Sequence, residues 1–181
     1  MNNFTDLVTN RRSIRQYTGE SLLPSEVEQI MKATLMSPSS KNSRSWEFVL
    51  IENKEMLKKL SICKSSGAIF IENCALAIAV LTDPLKTEAY VEDSAIAATY
   101  IQLQAEDLGL GTCWVQISGR ETETGYDSEQ YVKDLLEIPL QLHVGCIIAI
   151  GRKAKVGKPH SEEKLQWEKL HIEKYKNEPT S

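Results

Sequence analysis

The chain has 181 residues, of which 41% are hydrophobic and 25% charged, which is enough for one domain with a sizeable core. Its formal net charge of −4 offers no general electrostatic basis for binding nucleic acid. The longest apolar runs, such as residues 75–81, are too short to cross a bilayer.

Hydrophobic periodicity predicts helices and strands that alternate along the chain. Helices are predicted at residues 4–10, 24–36, 54–60, 93–107 and 127–136, with a weaker helical pattern at 162–175. Strands are predicted at residues 46–51, 75–82, 112–117 and 143–150. No repeat or linker interrupts this order, so we expect one α+β domain over residues 1–181.

The predicted helix at residues 93–107 is more apolar than most surface helices. Asp93 is placed to cap its N-terminus, and Gly109 and Gly111 follow its end. Apolar residues nearly surround this helix, so both of its sides should be covered. A second copy of the chain is the simplest cover, which predicts a homodimer.

The cysteines and histidines indicate neither a disulfide framework nor a metal site. No two cysteines have CxxC spacing, and all lie in or beside apolar runs, so we expect buried free thiols in a reducing compartment: Cys63, Cys74, Cys113 and Cys146. The three histidines lack metal-ligand spacing. Residues 1–7 do not have the pattern of a signal peptide. These observations predict a cytoplasmic protein without a protein-bound metal.

Three common site motifs are absent. Gly109-Leu110-Gly111 continues to Trp114, where a dinucleotide-binding GxGxxG motif would have a third glycine. Residues 151–158 resemble a phosphate loop, but five residues separate the glycines and Pro159 replaces the required Ser or Thr. The chain has no GxSxG, so a hydrolase nucleophile elbow is not supported.

Residues 11–15 form a compact basic segment that holds three of the six arginines. In an extended conformation Arg11, Ser13 and Arg15 would point the same way. Two guanidinium groups and a hydroxyl on one side suit a phosphate, because arginine matches phosphate oxygens in pairs. A solvated basic turn that ends the first helix is the alternative.

Three further segments could line a ligand. The loop at residues 38–43 offers backbone donors, hydroxyls and a carboxamide to a heterocycle, although a plain turn uses the same residue types. The glycines at 109 and 111 allow close approach of something flat, or they simply end a helix before a buried strand. Gly151-Arg152-Lys153 ends the last strand, where its basic residues contact a ligand or form ordinary surface.

Taken together and in this order, these segments resemble the nitroreductase-like FMN-dependent flavoproteins. The family's Arg-x-Ser-x-Arg/Lys element is matched by Arg11, Ser13 and Arg15. Its Pro-Ser-(Ser/Ala)-x-Asn loop and the tryptophan that follows are matched by Pro38, Ser39, Ser40, Asn42 and Trp46. Its Leu-Gly-Leu-Gly-Thr-Cys-Trp run is matched at residues 108–114, and its Ile-Gly-Arg strand end at residues 150–152. The resemblance covers residues 4 to about 153.

The resemblance implies which residues hold FMN. The phosphate and ribityl chain would be held by Arg11, Ser13, Arg15 and Arg152, with Arg12 and Gly151 beside them. The loop residues Pro38, Ser39, Ser40 and Asn42 would reach the same flavin, with the Pro-Ser-Ser stretch coming from the other subunit. The isoalloxazine ring would lie along Val115, Gln116 and Ile117, with a backbone N–H near its N5 atom.

The resemblance also implies a fold, an assembly and a reaction. The fold would have three layers, with a mainly antiparallel central sheet flanked by helices, in an intertwined homodimer whose residues 152–181 pack on the partner. NADH or NADPH would reduce the flavin, and a small acceptor such as a nitroaromatic or a quinone would then enter the same slot, in ping-pong turnover. The chemistry would take place on flavin N5, so no side chain would be catalytic.

Two features of the chain depart from the family pattern. Arg44 and Ser45 replace the usual Gln-Pro, and the chain lacks the long insertion that covers the substrate in some members of the family. Arg44 would favour anionic acceptors or the phosphorylated nicotinamide if it faces the flavin, or it would pair with a surface carboxylate. Other chemistry on the same fold, such as reductive dehalogenation or flavin destruction, and a non-catalytic flavin-binding dimer are the alternatives.

Overall fold

The structure is a computed structural model that describes residues 3–175. Its helices are α1 (Phe4–Asn10), α2 (Pro24–Leu35), α3 (Lys54–Leu60), α4 (Tyr90–Asp107) and α5 (Ser128–Leu136). Its strands are β1 (Trp46–Ile51), β2 (Leu76–Thr82), β3 (Leu110–Gln116) and β4 (His143–Arg152). All nine lie where periodicity predicts them, with ends that differ by up to three residues. No helix in the described range is long and apolar enough to cross a membrane.

Side-chain caps explain where several helices begin. Asn3, Asn53 and Asp127 each accept a hydrogen bond from the backbone N–H three residues later. Such caps satisfy N–H groups that have no partner inside the helix. Pro24 opens α2, as its fixed φ favours.

The four strands form one antiparallel sheet in the order β1-β2-β4-β3. Helices α2 and α4 cover one face of the sheet, while α3 and α5 cover the other. Strand β2 is buried along its whole length because it lies inside the sheet with both faces covered. The predicted α+β class, the three layers and the antiparallel sheet are confirmed.

The prediction that Asp93 caps α4 is wrong. The helix begins at Tyr90, and Asp93 lies one turn inside it with 1% of its surface exposed. Its carboxylate is occupied by the loop that precedes β1, so it does not satisfy the first N–H groups of its own helix.

The predicted helix at residues 162–175 is also wrong. This segment contains only two short 3₁₀ turns, Glu162–Lys164 and Trp167–Lys169. Its apolar side chains stay exposed, so no buried face stabilises a longer helix within one chain. Residues 176–181 of the predicted C-terminal extension lie outside the described range.

The predicted buried free thiols are confirmed at all four cysteines. Burial raises the pKa of Cys63 to about 12 and that of Cys74 to about 11. These thiols therefore stay protonated near neutral pH and act as small core residues.

Candidate functional site

The basic segment runs in an extended conformation along the outer edge of β3. Ser13 forms a parallel bridge with Thr112, and the Ile14 N–H donates to the Thr112 carbonyl at 2.8 Å. Ile14 is buried, whereas Ser13 and Arg15 on either side of it are exposed. The alternation predicted from the sequence is therefore present, and the buried Ile14 anchors it.

The pKa of the Cys113 thiol shows which polar groups gather at this edge. Burial raises it, while the charge of Arg15, the nearby Ser13 hydroxyl and the charges of Lys64 and Arg11 oppose the rise. All four residues therefore lie within electrostatic reach of the Cys113 thiol on β3. Lys64 lies in a loop far along the chain, so local sequence patterns carried no signal for its place here.

Arg11 and Arg15, on either side of Ser13, are available to bind an anion. Within residues 3–175, neither Arg11 nor Arg15 forms an ion pair. The Arg15 guanidinium carbon instead lies 5.8 Å from the centre of the Phe70 ring. This contact holds the side chain without using its hydrogen-bond donors.

Two glycines that pair across β3 and β4 let the basic segment lie flat on the sheet. A Cβ at Gly111 would stand 2.8 Å from Ile14, and one at Gly151 would stand 2.8 Å from the Tyr17 ring. The Tyr17 hydroxyl donates to the Ile14 carbonyl at 2.7 Å. At Gly111 and Gly151, the group that comes close to the backbone is therefore the stretch from Ile14 to Tyr17 of the same chain.

Gly109 ends a helix, as one reading of the sequence predicts. Its φ is +75°, and its N–H donates to the Glu106 carbonyl at 2.9 Å. Glycine favours this left-handed conformation because it has no Cβ.

Arg12 and Arg152 point away from the other predicted phosphate ligands. Arg12 packs against Gly157, where an added Cβ would stand 2.8 Å from the Arg12 side chain. Arg152 donates from its two terminal nitrogens to the two carboxylate oxygens of Glu26 at 2.9 and 3.0 Å. The structure thus brings Arg11, Ser13 and Arg15 together and directs Arg152 towards α2.

At the far end of β3, the structure exposes the backbone rather than the side chains. Val115 and Ile117 are buried in the core, and the Ile117 N–H donates to the Gly145 carbonyl. Along an antiparallel strand, the backbone N–H and C=O groups of successive residues point alternately towards the neighbouring strand and away from it. The Thr112 carbonyl points outward to Ile14. By the same alternation, the Gln116 N–H points outward, away from β4.

Asp93 of α4 holds the loop before β1, residues 38–45, by accepting hydrogen bonds from it. One carboxylate oxygen accepts from the Ser40 N–H at 2.8 Å, and the other accepts from the hydroxyls of Ser43 at 3.4 Å and Ser45 at 3.3 Å. Lys41, Asn42 and Arg44 have positive φ in this loop. A buried carboxylate with three donors therefore holds a backbone shape that these residues rarely adopt. The sequence position of Asp93 predicts a helix cap and gives no sign that its carboxylate binds this loop.

Arg44 forms no ion pair with a carboxylate within residues 3–175. Its Nε donates to the Asn42 Oδ1 at 3.2 Å, and its N–H donates to the Ser39 hydroxyl at 2.9 Å. Its side chain is exposed and braces the loop to which it belongs.

The loop and the basic segment lie at opposite edges of the sheet. The loop leads into β1, while residues 11–15 flank β3, and three interstrand spacings separate these strands by about 14 Å. Along α4, the distance from Asp93 near the loop to Glu106 near β3 is about 20 Å. Within one chain, the two groups of predicted residues therefore lie on opposite sides of strands β2 and β4.

Comparison with known proteins extends over nearly the whole chain. A sequence profile of the Nitroreductase family matches residues 8–72 and 67–152. The solved structure of an FMN-dependent nitroreductase from Clostridium difficile R20291 is 37% identical with a TM-score of 0.93, covering 95% of this chain and 100% of that one.

Curated relatives are also similar. A protein from Archaeoglobus fulgidus, named as a candidate NADH dehydrogenase/NAD(P)H nitroreductase, is 29% identical over 174 residues, which are 93% of this chain and 97% of its own length. A Bacillus subtilis protein named as an FMN reductase that uses NAD(P)H is 26% identical over 176 residues, which are 85% of this chain and 67% of its own.

Proposed function

Because the chain belongs to the nitroreductase family, we propose that it is an FMN-dependent oxidoreductase. It transfers electrons from NADH or NADPH to a small acceptor such as a nitroaromatic or a quinone. Similar proteins named for FMN and NAD(P)H support both cofactors.

The convergence of Arg11, Ser13 and Arg15 at the β3 edge is the observation that carries this proposal. Two guanidinium groups without ion pairs in the described range, and a hydroxyl on the same side, form a donor set suited to the phosphate of FMN. Lys64 adds a fourth donor near the same point. The chemistry of the residues present therefore fits the phosphate group.

The other end of β3 suits the ring of the flavin. Thr112, beside Ser13, and Gln116 are about 13 Å apart along the strand, which leaves room for a ribityl chain between them. The outward Gln116 N–H would donate to the ring edge. The side chains of Val115 and Ile117 support that backbone from the core.

A second subunit would complete each site with Pro38, Ser39, Ser40 and Asn42. The position of this loop at the opposite edge of the sheet from β3 supports this arrangement. An apolar groove of about 470 Å³ also lies open between α1, α2 and α4, lined in part by Phe4, Leu7, Tyr100 and Leu103. None of the residues of α1 is buried in the single chain. A homodimer would cover these surfaces, and residues 162–175, which are exposed in the single chain, are available to pack on the partner.

When bound, FMN would supply the redox chemistry by accepting hydride at N5 and passing electrons to the acceptor. The chain's own residues bind the phosphate, orient the ring and shield it from water. No side chain has to act as an acid, a base or a nucleophile. The donor and the acceptor then use one slot in turn, which gives ping-pong kinetics.

The test is to purify the protein and follow its flavin. We expect a yellow protein that releases FMN, not the adenine dinucleotide, on acid treatment. Anaerobic NADH or NADPH should bleach it, and a nitroaromatic or a quinone should restore the colour. A flavin that neither nicotinamide bleaches would contradict the proposed activity.

A further inference from the structure

A second cavity lies beside the loop that Asp93 holds. Its volume is about 530 Å³, within the range of small-molecule sites. Ser40 and Lys41 line it on one side, and the connection from β2 to α4, with Leu85, Lys86 and Glu88, lines the other. Ser40 belongs both to this wall and to the proposed flavin-contacting loop.

The cavity combines cationic and apolar groups. Lys41 forms no ion pair within residues 3–175, and Lys86 lies 3.7 Å from Asp83 with half of its side chain exposed. Glu88 is an exposed acid on the same wall. Leu85 is 85% exposed and offers an apolar surface beside Lys86.

The backbone of Lys41 is held firmly, so the origin of its side chain is fixed. Ser40 before it donates to Asp93, and Asn42 after it donates to the Ser39 carbonyl at 3.0 Å. Lys41 itself has a φ of +50°. A charge on a fixed backbone loses less conformational freedom when it meets a ligand than one on a mobile loop.

We propose that this cavity receives the anionic end of the electron acceptor, whose reducible group lies in the shared slot beside the flavin, and that Lys41, assisted by Lys86, gives the site a preference for aromatic acceptors carrying a carboxylate or a sulfonate. Leu85 would contact the aromatic ring, and the lysines would contact the anionic group. The inference rests on the proposed function, because it places the acceptor next to the flavin through Ser40. It also transfers the charge preference from Arg44, which braces its own loop, to Lys41.

The kinetic test compares 4-nitrobenzoate with its neutral analogue 4-nitrobenzamide. The wild-type protein should show a higher ratio of kcat/KM for the anion over the amide than Lys41→Gln does, by about two- to fivefold, as for exposed ion pairs. Lys86→Gln should lower the ratio less, and Lys41→Arg should keep it. Lys58→Gln, which removes the same charge from the exposed surface of α3, should leave the ratio unchanged. Salt should reduce the wild-type preference.

A binding measurement separates this inference from the proposed function. Isothermal titration calorimetry with benzoate and benzamide on the FMN-loaded protein should show the same loss of benzoate preference in Lys41→Gln. This result would support the anion site even if NADH and NADPH failed to bleach the flavin. Equal benzoate-to-benzamide ratios in the wild type, Lys41→Gln and Lys58→Gln would overturn the inference, whether or not the protein turned over.

Discussion

Arg15 can test the phosphate assignment directly, because Phe70 holds its guanidinium and no ion pair occupies it in the described range. We expect Arg15→Ala to weaken FMN binding about ten- to a hundredfold, since a charge-assisted hydrogen bond contributes about 1.5–3 kcal/mol. Riboflavin, which lacks the phosphate, should bind the variant almost as well as the wild type. Fluorescence titration of both ligands measures the difference.

Lys58→Ala is the matched control for Arg15→Ala, because it removes one positive charge from the exposed surface of α3. It should leave both affinities unchanged. If Arg15→Ala weakened riboflavin and FMN equally, Arg15 would not be contacting the phosphate.

Individual residues differ in how far the sequence reveals their role. The alternation of Arg11, Ser13 and Arg15 was predictable, because side-chain direction in an extended segment depends only on spacing. The pairing of Arg152 with Glu26 was not, since 126 residues separate them. The same holds for Asp93, whose partners lie about 50 residues earlier.

At the scale of elements, the backbone N–H and the side chain of Gln116, at the end of β3, have different roles in the proposed flavin site. The Gln116 side chain accepts from Trp114 at 3.0 Å and donates to the Ser118 carbonyl at 3.1 Å, so it is already engaged within the chain. Its N–H is the group free to meet the flavin ring. Gln116→Ala should therefore keep FMN and most of the activity. Gln116→Pro removes the donor and should slow flavin reduction about a hundredfold.

Stopped-flow mixing with NADH or NADPH measures this rate. Only Gln116 variants that still bind FMN and have the wild-type oligomeric state are compared, because proline also disturbs strands. If alanine were as damaging as proline in such proteins, the side chain would carry the contact.

The junction of α5 and β4 makes stability depend on pH through Glu129. Burial alone would raise the pKa of this carboxyl. Hydrogen bonds from His143, Lys133 and the Val144 N–H outweigh burial and lower the pKa to about 2. A lowered carboxyl pKa stabilises the fold above the ordinary value of 4.5, and this contribution is lost as the pH falls towards 2.

We therefore expect Glu129→Gln to lower the free energy of unfolding by about 1–3 kcal/mol at pH 6. The gap from the wild type should narrow at pH 3, as urea unfolding at both pH values would show. Glu28→Gln, at an exposed carboxylate on α2, should change little at either pH. A gap for Glu129→Gln that did not depend on pH would contradict this explanation.

At the scale of the whole molecule, the proposed dimer can be tested by combining two variant chains, each of which lacks a different part of the site. Arg15→Ala damages the β3 edge, and Asp93→Ala should damage the loop by removing the acceptor for Ser40, Ser43 and Ser45. Each homodimer should bind FMN weakly at both sites. In the heterodimer, one site would receive the intact Arg15 from one chain and the intact loop from the other. Half of its sites should therefore recover wild-type affinity.

Titration of co-purified heterodimer with FMN measures this recovery. If one chain built each site alone, no site of wild-type affinity would appear. Asn42→Ala, at an exposed position in the same loop, replaces Asp93→Ala if the buried substitution prevents folding. Sedimentation should show no stable monomer at micromolar concentration, and a folded monomer loaded with FMN would contradict the dimer.

The sequence by itself determined the features that depend on near neighbours along the chain. The helices and strands of the core follow from apolar periodicity and caps such as Asn3 and Asn53, and the buried thiols follow from the apolar runs around them. Spacing alone also placed Arg11, Ser13 and Arg15 on one side of their segment.

Only the tertiary structure decided the features that depend on distant partners. It showed that Asp93 holds a loop, that Arg152 pairs with Glu26, and that Lys64 joins the basic edge. It also showed that residues 162–175 lack a long helix in one chain, because nothing there covers their apolar side chains. Hydrogen bonds and burial between remote segments exist only once the chain has folded, so local periodicity carries no record of them.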